Sequence, residues 1–169
     1  MWNDTDIPIA YLITFRTYGT WLHGDERGST SRHRSTYGTP KLKHDPRWLE
    51  INRERMKRQP VTLDADQRTL VKNAIEETCE IRKWVLHAIN VRTNHAHTVV
   101  STSGRSPAIA LGAFKANATR VLRVSGLWIS ELSPWSDKGS NRYLWTEESL
   151  GRACDYVKYG QGDDLPEFD

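Results

Sequence analysis

The sequence predicts an α+β fold, a ferredoxin-like split βαβ sandwich: an antiparallel sheet with helices on one face, plus one further helix at the C-terminal end. Three observations carry that reading. Asp64 and Gln67 form a capping-box pair ahead of a helical stripe of Leu70, Val71, Ala74, Ile75 and Thr78. Two β-rich segments, residues 84–90 and 95–101, follow each other closely enough to pair as a hairpin. Ser106-Pro107 then opens a second long helix, with proline in its first turn. The order becomes strand, helix, strand, strand, helix, strand. That arrangement hosts many activities and by itself says little about chemistry.

Residues 7–17 are apolar and β-rich and read as the first strand. Residues 18–60 are rich in Gly, Ser, Thr, Pro and basic side chains. The first half reads as loop, and residues 46–57 can hold a short helix. Residues 64–82 are the first long helix, 84–90 a strand, and 95–101 its hairpin partner. The second long helix runs to about residue 123, with Ile109, Ala113, Ala116 and Arg120 near one face. Short strands are expected around 132–136 and 142–144, flanking the turn Asp137-Lys138-Gly139-Ser140. A helix capped by Thr146 closes the chain, with Glu147 and Glu148 at its positive end.

At 169 residues a single domain over 1–169 is the expectation, with a basic loop insertion at about 18–62 and a short acidic tail at 163–169. No apolar run is long enough for a membrane span, and the polar start Met1-Trp2-Asn3-Asp4 does not resemble a signal peptide. Cys79 and Cys154 both fall on expected helices and read as small buried residues. A cytoplasmic location follows as the default. Net charge is only +3, but it is unevenly spread. Arg32, Arg34, Lys41, Lys43, Arg47, Arg53, Arg55, Lys57 and Arg58 face only Asp45, Glu50 and Glu54 in the same stretch. Such clustering suits a phosphate backbone, although many charge runs are simply solvated loop.

The most informative stretch is Asn94-His95-Ala96-His97. On a strand, His95 and His97 project to the same face, with Ala96 pointing the other way. Two neutral imidazoles side by side can bind a divalent metal ion. Alone, a His-x-His pair is more often two half-exposed histidines on an ordinary strand. The closing helix adds a second feature. Leu150, Ala153, Cys154 and Val157 form its core stripe, Tyr156 lies beside that stripe, and Tyr159 lies nearly opposite. Neither tyrosine reads as an obvious core residue.

Taken together and in order, these segments resemble the HUH single-tyrosine transposases, and most closely the REP-associated tyrosine transposases. The likeness covers most of the chain. It includes the stretch from Ile13 to Gly28, the Asn94-His95-Ala96-His97 motif, and the stretch from Phe114 to Arg123. It continues through Gly139-Ser140-Asn141-Arg142-Tyr143-Leu144-Trp145 and Tyr156-Val157-Lys158-Tyr159-Gly160-Gln161. The resemblance implies nicking and rejoining of single-stranded DNA through a covalent 5′-phosphotyrosine, leaving a free 3′-hydroxyl. It implies Tyr156 as nucleophile and a divalent metal, Mg²⁺ or Mn²⁺, on His95 and His97. In the family motif a polar residue about one turn after the tyrosine completes the metal site. Here Gly160 stands four residues after Tyr156 and Gln161 five, so Gln161 is either a ligand beyond a helix end or bulge at Gly160, or only a C-terminal polar residue. Tyr159 is the reserve nucleophile.

The implied partner is single-stranded or hairpin DNA. Arg16, Lys115, Arg120, Arg123 and Arg142 are the candidate phosphate contacts. Trp135, with Trp21 and Trp145, is a candidate face for base stacking, whereas Trp84 reads as buried. Arg120 reads equally as an internal cap or pair. His87 reads as structural, and His23, His33 and His44 as surface or phosphate contacts. Related small transposases include helix-exchanging homodimers, while the REP-associated branch can act as monomers, so both states stay open. Two other functions stay open as well. One is a domesticated hairpin-binding protein that no longer cuts, favoured by the shifted Gln161. The other is a relaxase or replication-initiator-like nuclease using the same histidines.

Overall fold

The computed structural model describes residues 6–20 and 43–160. Within them the chain runs β1 (Ala10–Arg16), α1 (Pro46–Glu54), α2 (Ala65–Arg82), β2 (Val85–Val91), β3 (His95–Ser101), α3 (Pro107–Val124), β4 (Ser140–Leu144) and α4 (Glu147–Tyr159). The four strands form one sheet in the order β2-β3-β1-β4, and every neighbouring pair is antiparallel. This is the expected split βαβ arrangement. Helices α2 and α3 pack on one face and α4 on the other. Residues 21–42 of the expected basic insertion, and all of the expected acidic tail, lie outside the described residues. Among the described residues no helix is long and apolar enough to cross a membrane.

Strand β1 is buried on both faces, which explains its near-continuous apolar sequence. Tyr11, Ile13 and Phe15 point into the larger core, with Val71 and Ile75 of α2 and Phe114 and Leu122 of α3. Ala10 and Leu12 point the other way, into a smaller core with Val99, Ala153, Tyr156 and Val157. The strand starts at Ala10, later than expected, although Ile9 N–H already donates to the Leu144 carbonyl at 2.9 Å. Helix α2 has the capping box read from the sequence: Gln67 N–H donates to Asp64 Oδ1 at 2.8 Å, and Asp64 N–H donates to Gln67 Oε1 at 2.9 Å.

Two expectations are corrected. In α3 the buried stripe is Pro107, Ala110, Phe114, Ala118 and Leu122, and Ile109 is 46% exposed. Both stripes have helical spacing, so spacing does not choose between them. Phe114 and Leu122 carry the larger apolar surface, and they decide which side faces the sheet. The second correction concerns residues 132–136, which form no strand. Only Trp135 makes a bridge, to Thr17, and Pro134 beside it lacks a donor. The fourth strand is instead β4, which begins two residues earlier than expected.

Candidate catalytic face

Alternation along β3 sends Ala96 and Val100 into the larger core and His95, His97 and Val99 to the opposite face, beneath α4. Register then decides their neighbours. Thr14 lies opposite His97 and Arg16 opposite His95 on β1, while Leu12 pairs with Arg142 of β4. One face therefore carries two imidazoles and two guanidinium groups. Helix α4 is tied down over it: Ala153 and Val157 are fully buried, and Asn90 of β2 donates from Nδ2 to the Val157 carbonyl at 3.1 Å.

The rings of His95 and His97 stand 4.6 Å apart between centroids, and that of Tyr156 is 5.4 Å from His97. The Thr14 hydroxyl is 2.6 Å from His97 Nδ1, and the Asn94 side-chain oxygen is 2.6 Å from His95 Nδ1. Burial, reinforced by His95, Arg16 and Arg92, pushes the His97 pKa down to about 3. His97 is thus neutral at physiological pH, the form in which imidazole ligates a metal. Burial pushes the Tyr156 phenol above its usual 10, and the opposing pull of Arg16 and Arg142 does not overcome it. The basic neighbours favour the phenolate, but the phenol stays protonated at neutral pH.

Tyr156 is only 6% exposed, so it belongs to the smaller core; this corrects its reading as a residue merely beside the core stripe. A stripe read from aliphatic side chains alone does not include a tyrosine, so this burial is not visible in the sequence. Tyr159 is 82% exposed, on the far side of α4 from that core. Helix α4 ends at Gly160, whose φ of −90° is open to any residue. Its role is spatial, since a Cβ at Gly160 would lie 2.9 Å from Tyr156 Cδ2.

Two donors suit a divalent cation: a neutral His97, and a His95 whose Nδ1 is engaged with an amide oxygen, so that Nε2 would be the nitrogen to ligate. Among the described residues no group of three or more His, Cys, Asp or Glu could hold a metal ion. A third donor from the protein must therefore be of another residue type or lie outside those residues. Gln161 lies outside them.

The remaining candidates separate from this face. Trp135 is 4% exposed in the larger core, edge-on to Phe15, and its indole N–H donates to Lys115 O and Thr119 Oγ1. It is a packing residue, which corrects its reading as a stacking face. Lys115 donates to the carbonyls of Ser136 and Lys138, so it clasps the turn before β4. Arg120 pairs with Glu77 at 3.2 Å and donates to Asn117. Arg123 donates to the carbonyls of Ser130 and Glu131. These three cations stand on α3, across the sheet from the histidines. Only Arg16 and Arg142, of the five basic candidates, join the histidine face. His87 bonds Ser101 Oγ at 2.8 Å beside the irregularity in β2, a structural role. Trp21, His23 and His33 lie outside the described residues. Sequence reasoning gave no role to Thr14, Asn90 or Asn94. Asn94 adjoins His95 and was within reach, whereas Thr14 and Asn90 needed the strand register.

No protein-family model matches the chain, and no curated protein matches it by sequence. Solved structures do match. One is a REP-associated tyrosine transposase bound to a REP hairpin, with a TM-score of 0.53 and 12% identity over 95% of this chain and 71% of that one. Another is a Deinococcus radiodurans protein described as a transposase, with a TM-score of 0.50 and 10% identity over 92% of this chain and 93% of that one. At such identities the likeness speaks for architecture: this chain has the fold of the tyrosine transposases.

Proposed function

We propose that the protein is a transposase-like enzyme that nicks and rejoins single-stranded DNA through Tyr156, at sites that include a hairpin. The observation that carries this reading is the edge-on packing of His95, His97 and Tyr156 on one face, with ring centroids 4.6 and 5.4 Å apart. The hairpin is taken from the fold neighbour, which holds one.

Phosphodiester transfer needs a nucleophile, stabilisation of charge on the phosphoryl oxygens, and a leaving group. In the proposed reaction Tyr156 Oη forms a bond to phosphorus as the bond from phosphorus to the 3′ oxygen breaks. The phenol proton passes to solvent, and the leaving oxygen takes up a proton to become a free 3′-hydroxyl. Attack of a 3′-hydroxyl on the 5′-phosphotyrosine reverses these changes and rejoins strands without ATP. Arg16 and Arg142, both close enough to act on the phenol, supply positive charge for the phosphate. Mg²⁺ or Mn²⁺ on His95 and His97, with Gln161 as the proposed third ligand, would polarise a non-bridging oxygen and orient the phosphate.

The test is incubation with labelled hairpin oligonucleotides and Mg²⁺ or Mn²⁺, followed by denaturing electrophoresis. A covalent adduct formed by wild type and Tyr159→Phe, but lost in Tyr156→Phe and His95→Ala, is the expected result. One observation favours a second reading, a hairpin-binding protein that does not cut: Tyr156 is buried and its phenol is held above its usual pKa. Tight hairpin binding by wild type, with no adduct at any metal concentration, would decide for that reading.

A further inference from the structure

The two imidazoles are held by different chemistry. His97 Nδ1 meets a hydroxyl, Thr14 Oγ1, which can either donate or accept. His95 Nδ1 meets the side-chain oxygen of Asn94 at 2.6 Å. An amide oxygen only accepts, so the proton of that bond belongs to His95 Nδ1. In a neutral imidazole the lone pair then resides on Nε2. Asn94 is itself fixed from behind: its carbonyl accepts from Thr17 N–H at 2.9 Å and from Thr17 Oγ1 at 3.2 Å. On the other side, Arg92 N–H donates to the His95 carbonyl at 2.8 Å. The turn between β2 and β3 is therefore anchored at both residues of the Asn94–His95 contact.

We propose that Asn94 is a positioning residue that presets His95 in its Nδ1–H form, so that Nε2 is the nitrogen through which His95 would ligate a metal ion. The proposal deepens the reading of His95 and His97 as a metal pair and rests on it for its metal-binding half. A carbonyl or amide oxygen behind a ligating histidine fixes both the tautomer and the ring plane, and losing it weakens metal binding. Thr14 leaves the His97 tautomer undecided, so Asn94 makes His95 the pre-set member of the pair.

The test uses the full chain at neutral pH. Long-range ¹H–¹⁵N spectra of the metal-free protein report which His95 nitrogen bears the proton in wild type, Asn94→Ala and Asn94→Asp. Calorimetric titration with Mn²⁺ reports affinity. Wild type and Asn94→Asp, which keeps an oxygen acceptor, should show the Nδ1–H form. Asn94→Ala should show a tautomer mixture and bind Mn²⁺ about 10–100-fold more weakly. The proposal is overturned by a wild-type His95 protonated at Nε2, or by Asn94→Ala with wild-type tautomer and affinity. The wild-type spectrum alone can deliver the first of these, so a misfolded variant would not shelter the proposal. A wild-type His95 in the Nδ1–H form that takes up no Mn²⁺ would instead overturn the metal reading, with the tautomer assignment intact.

Discussion

Burial of His97 has a measurable consequence for stability. Its pKa falls from 6.5 to about 3 on folding, so the folded protein resists the proton that the unfolded chain accepts. Stability from this source is complete above pH 6.5 and is lost progressively as pH falls toward the folded value. Between pH 7 and pH 5 the unfolded chain takes up most of a proton at this site and the folded chain almost none. With one pKa unit equal to about 1.4 kcal/mol, that interval costs about 2 kcal/mol. Urea denaturation in the presence of a chelator, at several pH values between 7 and 5, would measure it. The comparison protein is His97→Gln, which keeps a polar side chain but cannot titrate. Wild type should lose about 2 kcal/mol more than His97→Gln over this interval, with the other histidines cancelling between the two. Parallel losses would refute the reasoning, because they would mean that His97 binds its proton equally well folded and unfolded.

Other perturbations test the packing that holds the site. Leu122→Ala should cost about 2–5 kcal/mol by urea unfolding, while Ile109→Ala on the outer face of α3 should change stability by no more than about 0.5 kcal/mol. A Cβ at Gly139 would meet the Thr14 carbonyl at 2.5 Å and Leu111 at 3.1 Å, so Gly139→Ala should destabilise by about 1–3 kcal/mol. Nothing lies within 4 Å of a Cβ at Gly112, so Gly112→Ala inside α3 should stabilise by about 1 kcal/mol in the same assay. Asp64→Ala removes the cap of α2 and should cost about 1 kcal/mol, read as a lower thermal midpoint.

The parts of the fold legible in the sequence are those set by local chemistry. The box of Asp64 and Gln67 marked the start of α2, Thr146 marked the start of α4, and the period-two projection of His95 and His97 placed both on one face. What stayed hidden depended on which side an element turns toward its neighbours. The stripe of Ile109, Ala113, Ala116 and Arg120 is as helical as the one that packs, and only contact with β1 and α2 distinguishes them. Trp135 shows the same limit: a tryptophan in an irregular stretch resembles a stacking face until Phe15 and Thr119 are found around it. Within the site, Tyr156 and the histidine pair were legible, but the amide and hydroxyl that hold the rings were not assigned. Thr14 lies 83 residues from His97, and only register brings them together.

Three separate constraints converge on Tyr156, and they act on different properties of it. The fully buried Ala153 and Val157, and the Asn90 link to the Val157 carbonyl, fix where α4 lies over the sheet. Gly160 controls the space beside the ring, because a Cβ there would press on Tyr156 Cδ2. Burial keeps the phenol protonated, while Arg16 and Arg142 oppose that effect. The first two fix the ring's position; the third sets its protonation. A phosphate entering this face would draw on the same two guanidinium groups. Their charge would then be shared between phosphate and phenol, so the arginines alone would lower the phenol pKa less with DNA present than without it. A further positive charge beside the histidines would offset that loss and favour the phenolate in the proposed reaction. A cation held by His95 and His97 would supply it. In the proposed reaction Tyr156, Arg16 and Arg142 would then bind DNA without metal, and the histidines would separate binding from cleavage.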